Sequence, residues 1–241
     1  MQMKNILLFL GLAGAAAALP TQVSKVISNT KRQAPVESTI WGDRVSGSPD
    51  FWDDNWANVT LPFPISFYGV SYNNFWVSIN GILSPGPDQI LFPDTSSGAQ
   101  NHIPVNPNVG AGTPRPDREW VPEKALFVLW EDLFIEFGEL HEVWTTVSGS
   151  APSRSISFSW KGSSYGTVGG NIVVPQFSAT FREARPNVAR IEYTNVADNG
   201  VNAAIGIQSY PAGVEWSYQT ASFVSGDTLV VDMNTQAFVL I

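Results

Sequence analysis

The chain of 241 residues contains no cysteine, only two histidines and few charged side chains, which make up 14% of the sequence. The lack of cysteine excludes disulfides, thiol catalysis and cysteine-ligated zinc. His102 and His141 cannot form a three-histidine zinc site, so oxygen atoms would supply most ligands of any bound metal. No apolar run reaches the roughly 18 residues that a membrane span needs. The remaining class is a globular chain with one substantial core.

The first 32 residues have the features of a leader rather than of a folded domain. A basic start at Lys4 precedes an apolar run from Ile6 to Leu19, and three alanines end at position 18, so residues 1–18 are predicted to be a secretory signal peptide. Residues 19–32 are predicted to be a pro-segment that ends in the dibasic processing site Lys31-Arg32. The mature chain is then a single domain over residues 33–241. Its expected location is extracellular, either free or associated with a cell wall.

Removal of this leader makes the charge strongly one-sided. Residues 1–32 hold four basic residues and no acid, so the mature chain keeps 13 − 4 = 9 basic residues against 21 acidic ones, a net charge of −12. Such a surface repels phosphate backbones and anionic lipids, which argues against nucleic acid and membrane surfaces as partners. It suits an acidic extracellular medium.

Apolar residues alternate or form short runs between turn signals, as is typical of strands. The segment from Leu61 to Phe67 alternates, and because Pro62 and Pro64 cannot donate to a ladder it is predicted to be an edge or bulged strand. Asn80-Gly81 predicts a tight turn. The unbroken apolar run from Ala125 to Leu129 predicts a strand that is covered on both faces. Further predicted strands are residues 143–147, 156–160, 176–181, 190–193, 203–208, 229–232 and 237–240.

The number and spacing of these strands predict an all-β fold, specifically a two-sheet antiparallel β-sandwich resembling a jelly roll. Residues 93–124 interrupt the pattern with six prolines and few core-type residues. They are predicted to be a long loop within the single domain, since the strands before them are too few to form a core of their own. Loops of this length are usually functional or mobile.

Two sequence blocks carry a resemblance to a known family. Leu61-Pro-Phe-Pro-Ile-Ser-Phe-Tyr-Gly69 and Tyr72-Asn-Asn-Phe-Trp-Val-Ser-Ile-Asn-Gly-Ile-Leu-Ser84 resemble the opening of the nidogen-like domain, and later segments match in order as far as Gln208. The resemblance implies an extracellular module of matrix and cell-surface proteins, associated with adhesion and without a catalytic centre. The chain lacks the cysteine-rich modules that accompany the domain in animal proteins, and it has a dibasic leader. This layout is similar to that of small secreted fungal proteins.

The segment Gly162-Ser-Ser-Tyr-Gly166 matches the Gly-x-Ser-x-Gly elbow of serine hydrolases. That elbow requires a helix after the serine and a triad histidine later in the chain. No helical pattern follows Ser164 and both histidines precede it, so we interpret the segment as an ordinary loop.

Carboxylates are better candidates for catalytic residues than Ser164. Acidic residues from Glu131 through Asp132, Glu136 and Glu139 to Glu142 crowd around one predicted hairpin. Asp132 and Glu136 lie four residues apart, roughly 13 Å along a strand, which is more than the about 5 to 9.5 Å that separates glycosidase carboxyl groups. A cross-strand partner such as Glu142 would be needed. A carbohydrate-active hydrolase therefore stays as the alternative to a non-catalytic module.

The predicted ligand-binding site is the stretch Trp52-Asp53-Asp54-Asn55-Trp56, because proteins commonly bind sugars with flat aromatic faces and a few polar groups. A plain structural cover over the sandwich end is the competing interpretation. Oxygen ligands for calcium could come from Asp50, Asp53, Asp54 and Asn55, but the pattern of an EF-hand loop is lacking. No cofactor or metal is therefore predicted, with calcium as the one open alternative.

Asn58-Val59-Thr60 is an N-glycosylation sequon, and Asn58 is expected to carry a glycan. These observations predict a secreted, non-catalytic binding or adhesion module whose partner is carbohydrate or an extracellular glycoprotein of the wall or matrix. A purely structural surface protein is the third possibility. The identity of the ligand and the oligomeric state stay open.

Overall fold

Strands account for all regular secondary structure in the described part of the chain. A computed structural model describes residues 34–42, 51–86, 102–107, 109–110, 113–114, 121–137, 139–164, 167–168, 171–172 and 174–241. No helix in these ranges is long and apolar enough to cross a membrane. The predicted all-β class is confirmed.

The strands are numbered in chain order. They are β1 (Val36–Trp41), β2 (Phe51–Asp53), β3 (Trp56–Phe67), β4 (Val70–Ser78), β5 (Ile82–Pro85), β6 (Val109–Gly110), β7 (Thr113–Pro114), β8 (Lys124–Trp130), β9 (Leu133–Glu136), β10 (Glu142–Ser148), β11 (Ser155–Lys161), β12 (Ser163–Ser164), β13 (Thr167–Val168), β14 (Asn171–Ile172), β15 (Gln176–Arg182), β16 (Arg185–Asn195), β17 (Ala204–Ser209), β18 (Ala212–Tyr218), β19 (Thr228–Asp232) and β20 (Ala237–Leu240).

Three antiparallel sheets organise these strands. A seven-stranded sheet has the order β1-β10-β11-β15-β16-β19-β20, and a six-stranded sheet has the order β18-β17-β8-β5-β4-β3. A three-stranded sheet has the order β12-β9-β2, and two short ladders, β13-β14 and β6-β7, complete the described pairings. The prediction of two sheets missed the three-stranded one. Its strands have two to four residues, which is too short to show an alternating pattern.

The two larger sheets contribute side chains to one hydrophobic cluster. Phe75 of β4 stacks on Phe158 of β11 with ring centroids 6.0 Å apart. The hydroxyl of Tyr193 on β16 donates to the carbonyl oxygen of Val128 on β8 over 2.9 Å. Because both contacts join one sheet to the other, the inner faces of these sheets form the core.

Strand β3 shows how the prolines act. It lies at the edge of the six-stranded sheet, and its register with β4 shifts between Thr60 and Ile65, around the two prolines. Its apolar side chains are buried, from Leu61 at 7% exposure to Phe67 at 0%. Both parts of the prediction, an edge position and a bulge, are confirmed.

The turn between β4 and β5 depends on one glycine. Gly81 has a φ of +73°, and a Cβ atom there would lie 2.1 Å from the carbonyl oxygen of Leu129. The Gly81 carbonyl accepts a hydrogen bond from the backbone N–H of Val128 over 3.0 Å. Only glycine allows this close approach of the turn to β8.

Strand β8 is buried on both faces, as predicted. Leu126 and Val128 face the main core, whereas Ala125 and Phe127 belong to a second cluster that also contains Ile103, Val105 and Val121. Gln208, fully buried on β17, receives a 2.8 Å hydrogen bond from the N–H of Val105 and donates another of 2.8 Å to the carbonyl of Pro122. Parts of the predicted long loop therefore cover the outer side of the six-stranded sheet.

Several predicted features fall wholly or partly on residues that the structure does not describe. These are the signal peptide at 1–18, the pro-segment at 19–32 with Lys31 and Arg32, and much of the loop at 93–124. They remain predictions.

Candidate functional site

The predicted site runs from the short strand β2 into the start of β3. Strand β2 pairs with β9, so that Asp53 lies opposite Phe134 and Trp52 lies opposite Ile135. The register brings the 52–56 stretch beside the link between β8 and β9, which contains Glu131 and Asp132.

The two tryptophans of this stretch do not form one surface. Trp52 is half-buried, packs against the main core and contacts the ring of Phe137 edge-on at 6.4 Å between centroids. Trp56 is 8% exposed and belongs to the second cluster. Because side chains alternate along a strand, Asp53 lies on the face of β2 opposite to Trp52. The two indoles of the predicted site are therefore divided between two packing environments.

The carboxylates do come together. Asp53, Asp54 and Asp132 are each partly buried, and each offers a carboxylate oxygen within 4.8 Å of the others. We call these three residues the acidic cluster. Three such oxygens could hold a hard cation such as calcium, or accept hydrogen bonds from hydroxyl groups.

Asn80 fixes the position of this cluster. Its side-chain amide donates to Oδ1 of Asp54 over 2.8 Å, and its carbonyl oxygen accepts the N–H of Leu133 over 2.8 Å. The backbone carbonyl of Asn55 accepts the N–H of Ile79 over 3.1 Å. Asp54 has a φ of +52°, a conformation that aspartate tolerates better than most residues. Because Asn80 is fully buried, these bonds hold the 52–56 stretch firmly against the β4–β5 turn.

Burial and neighbouring charge change the proton affinity of Asp132. Partial burial, followed by the negative charges of Asp53 and Asp54, raises the pKa of Asp132 to about 7. A carboxyl group with this pKa can both donate and accept hydrogen bonds near neutral pH.

Glu131 lies beside this cluster in the chain but inside the protein, at 2% exposure. The hydroxyl of Ser164 donates to its Oε1 atom, while Oε2 has no hydrogen-bond partner among the described residues. Burial, opposed by the Ser164 hydrogen bond and helped by the charges of Asp198 and Asp132, raises the pKa of Glu131 to about 7. Ser164 lies on strand β12 and is 1% exposed, so it is hydrogen bonded inside the protein.

The predicted hairpin around Glu136, Glu139 and Glu142 is wrong. Strand β9, which contains Glu136, pairs with β2 and β12, whereas β10, which begins at Glu142, pairs with β1 and β11. Glu142 is therefore not the cross-strand partner of β9. The acidic residue across the sheet from β9 is Asp53, because Asp53 lies on the neighbouring strand β2, opposite Phe134.

Two residues that the structure brings to this site were not among the predicted site residues. Asp132 was considered only with more distant acids, because nothing in the sequence shows that β2 pairs with β9. Asn80 was interpreted only as a turn residue, although an Asn-Gly turn places an amide where it can bond across strands. A polar residue in an otherwise apolar turn was the signal available.

The glycosylation sequon is accessible. Asn58 is exposed on β3, and its side-chain oxygen accepts a hydrogen bond from Asn74 over 2.8 Å. Its expected glycan remains a prediction.

Comparison with known proteins identifies the family. A family model described as NIDO related matches residues 29–237, which is most of the chain. No curated protein and no solved structure matches the chain. Nidogen-like domains are typically extracellular and non-catalytic. On the extent of this match, the chain belongs to the NIDO-related family.

Proposed function

We propose that the protein is a secreted, non-catalytic binding or adhesion module that recognises carbohydrate, either free or on a wall or matrix glycoprotein. The observation that carries this proposal is the acidic cluster, which Asn80 holds in a fixed position while its carboxylates stay partly exposed. Carboxylates are strong acceptors for sugar hydroxyl groups, and a preorganised set binds at a lower entropic cost. The two larger sheets act as the two layers of a jelly-roll sandwich that supports this site.

The ligand-contacting residues in this proposal are Asp53, Asp54 and Asp132, with Asn55 and the half-buried Trp52 at the margin. Trp56 supports the site from the core. Processing after Arg32 and a glycan on Asn58 belong to the same proposal, as does exclusion of nucleic acid as a partner.

Binding to a panel of neutral glycans, such as chitin oligosaccharides, β-glucan and mannan, tests this proposal. The double variant Asp53→Asn/Asp132→Asn keeps the side-chain shapes but removes two acceptor carboxylates. We expect it to bind at least tenfold more weakly than the parent chain. Glu37→Gln, which removes an exposed acid from β1, serves as the matched control and should bind normally. Equal binding by the double variant and the parent would contradict the proposed site.

The same site is proposed to act without a metal. A chelator should then leave both the melting temperature and glycan binding unchanged. A fall in melting temperature of more than about 5 °C, equivalent to roughly 1 to 2 kcal/mol, would instead show that the acidic cluster holds a structural cation.

A carbohydrate-active hydrolase is the second candidate, and a specific observation favours it. The oxygens of the acidic cluster lie within 4.8 Å of one another, close to the about 5 to 5.5 Å between the carboxyl groups of retaining glycosidases. Asp132, with its raised pKa, could serve as the acid beside the carboxyl group of Asp53. Release of reducing sugar from the panel, abolished in Asp132→Asn, would favour this candidate. If the protein neither binds nor hydrolyses any glycan of the panel, a purely structural surface protein becomes the favoured candidate.

A further inference from the structure

A concentration of arginine on the seven-stranded sheet lies apart from the acidic cluster. Two grooves of about 350 and 190 Å³ adjoin one another and share Arg182. Arg154 lines the larger groove, while Arg185 and Arg190 line the smaller one. We call these four residues the arginine cleft. They represent four of the 13 basic residues in a chain with a net charge of −8.

Among the residues that the structure describes, no acidic side chain lines either groove. The nearest acids are already occupied: Glu183, at the tip of the β15–β16 hairpin, makes a two-pronged ion pair with Arg154, with distances of 2.7 and 3.0 Å. Glu192 accepts a 2.9 Å hydrogen bond from Nε of Arg190. Ion pairs therefore compensate Arg154 and Arg190, whereas no described acid pairs with Arg182 or Arg185, which carry the remaining positive charge of the cleft.

Arg182 and Arg185 stand directly opposite each other at the end of the hairpin. Both are exposed, and neither has a hydrogen-bond or ion-pair partner among the described residues. Like charges at directly opposed positions of two strands repel each other. An anion bound between them would relieve this repulsion, and their planar guanidinium groups match a carboxylate with two parallel hydrogen bonds.

We propose that the arginine cleft binds a polyuronate, a polysaccharide with a carboxylate on each sugar. The arginine cleft shares no residue with the acidic cluster, so this inference goes beyond the proposed function. The two adjoining grooves suit an extended ligand that places successive carboxylates on Arg182 and Arg185. The methyl groups of Val188 and Val230 line the smaller groove and suit the C–H face of a pyranose ring.

The charge of the whole chain selects against denser polyanions. A net charge of −8 repels a polymer such as polyphosphate or nucleic acid, in which charges follow closely on one another. A polyuronate carries its charges more sparsely and also offers hydroxyl groups and apolar ring faces. The ligand class follows from this combination of local positive and overall negative charge.

Binding of the full chain to oligogalacturonate of defined length tests this inference. We expect saturable binding that weakens with salt, and at least a tenfold loss in Arg182→Gln/Arg185→Gln. Lys124→Gln, which removes one positive charge from β8 in the other large sheet, should bind like the parent. Because both arginines are exposed, the double variant should melt no lower than the parent, so a loss of binding reports on the cleft itself.

Three results would overturn the inference. They are no binding of oligogalacturonate, equal binding by the double variant, and tighter binding of inorganic polyphosphate than of oligogalacturonate at the same salt concentration. None of them bears on the acidic cluster, because neutral glycans carry no charge for the arginines to recognise.

Discussion

The acidic cluster and the arginine cleft treat like charges in opposite ways. In the acidic cluster three carboxylates are partly buried, and Asn80 ties one of them to the β4–β5 turn. In the arginine cleft Arg182 and Arg185 are exposed at the end of a hairpin, without a partner among the described residues. Burial changes the proton affinity of the first group, whereas water screens the charges of the second.

The two regions therefore differ in how the repulsion between their like charges is reduced. At the acidic cluster the cost falls on folding, and protonation of Asp132 near pH 7 reduces it. At the arginine cleft protonation cannot change, because arginine stays charged in proteins, so relief has to come from a bound anion. Changes at the first region should therefore alter stability as well as glycan binding, whereas changes at the second should alter binding with little effect on stability.

The largest expected effect concerns the turn that carries Asn80. Gly81→Ala places a methyl group against the Leu129 carbonyl at a positive φ, so we expect a loss of about 4 kcal/mol or more, or failure to fold. Gly69→Ala is the matched control, because Gly69 also has a positive φ, of +77°, but no atom within 4 Å of the added carbon. It should cost only about 1 kcal/mol in chemical unfolding. Similar losses in both variants would show that the turn does not need a close approach.

The next largest effects are expected at the two tryptophans of the predicted site, whose removal should reduce the free energy of unfolding by different amounts. Trp56→Ala removes a side chain from the second cluster and should cost about 3 to 5 kcal/mol of unfolding free energy. Trp52→Ala, from a half-buried position, should cost about 1 to 2 kcal/mol. Thermal melts of both variants measure this order. A larger loss for Trp52→Ala would mean that the structural roles are reversed.

Stability should depend on pH through Glu131. Its pKa is about 7 in the folded protein against an ordinary value of 4.5, so the folded state holds the proton more tightly. The stabilisation is present at low pH and is lost as the pH rises from about 4.5 to 7, on the order of 3 kcal/mol at 1.36 kcal/mol per pKa unit.

Melts of the parent chain and Glu131→Gln between pH 5 and pH 8 check this. The stability of the variant relative to the parent should rise with pH, because glutamine does not ionise. A difference that stays constant with pH would show that Glu131 does not titrate in this range.

The smallest effect is expected at the arginine cleft. Arg182→Gln/Arg185→Gln removes a repulsive pair that water largely screens, so the melting temperature should rise by about 1 to 2 °C. High salt should remove this gain, since salt screens the repulsion in the parent chain. A clear fall in melting temperature would mean that these arginines stabilise the fold.

Much of the fold could be predicted because alternation and turn chemistry are local properties. Pro62 and Pro64 predicted an edge position, and the unbroken run in β8 predicted a strand covered on both faces. The three-stranded sheet could not be predicted, because its strands are too short for a pattern and the pairing of β2 with β9 joins residues about 80 positions apart.

The acidic cluster was half predicted for the same reason. Asp53 and Asp54 lie within one polar stretch, but Asp132 joins them only through the β2–β9 pairing. The arginine cleft was not predicted at all. Arg154 and Arg182 are separated by 28 positions, and their proximity depends on the β11–β15 register that sets Ser155 opposite Arg182.

The most direct test of two functionally distinct charged regions is one set of binding isotherms for three proteins: the parent chain, Asp53→Asn/Asp132→Asn and Arg182→Gln/Arg185→Gln. Each is titrated with the neutral glycan that the panel identifies and with oligogalacturonate. We expect the aspartate variant to lose only the neutral glycan and the arginine variant to lose only oligogalacturonate. Loss of both ligands in one variant, or of neither ligand in both variants, would contradict the separation.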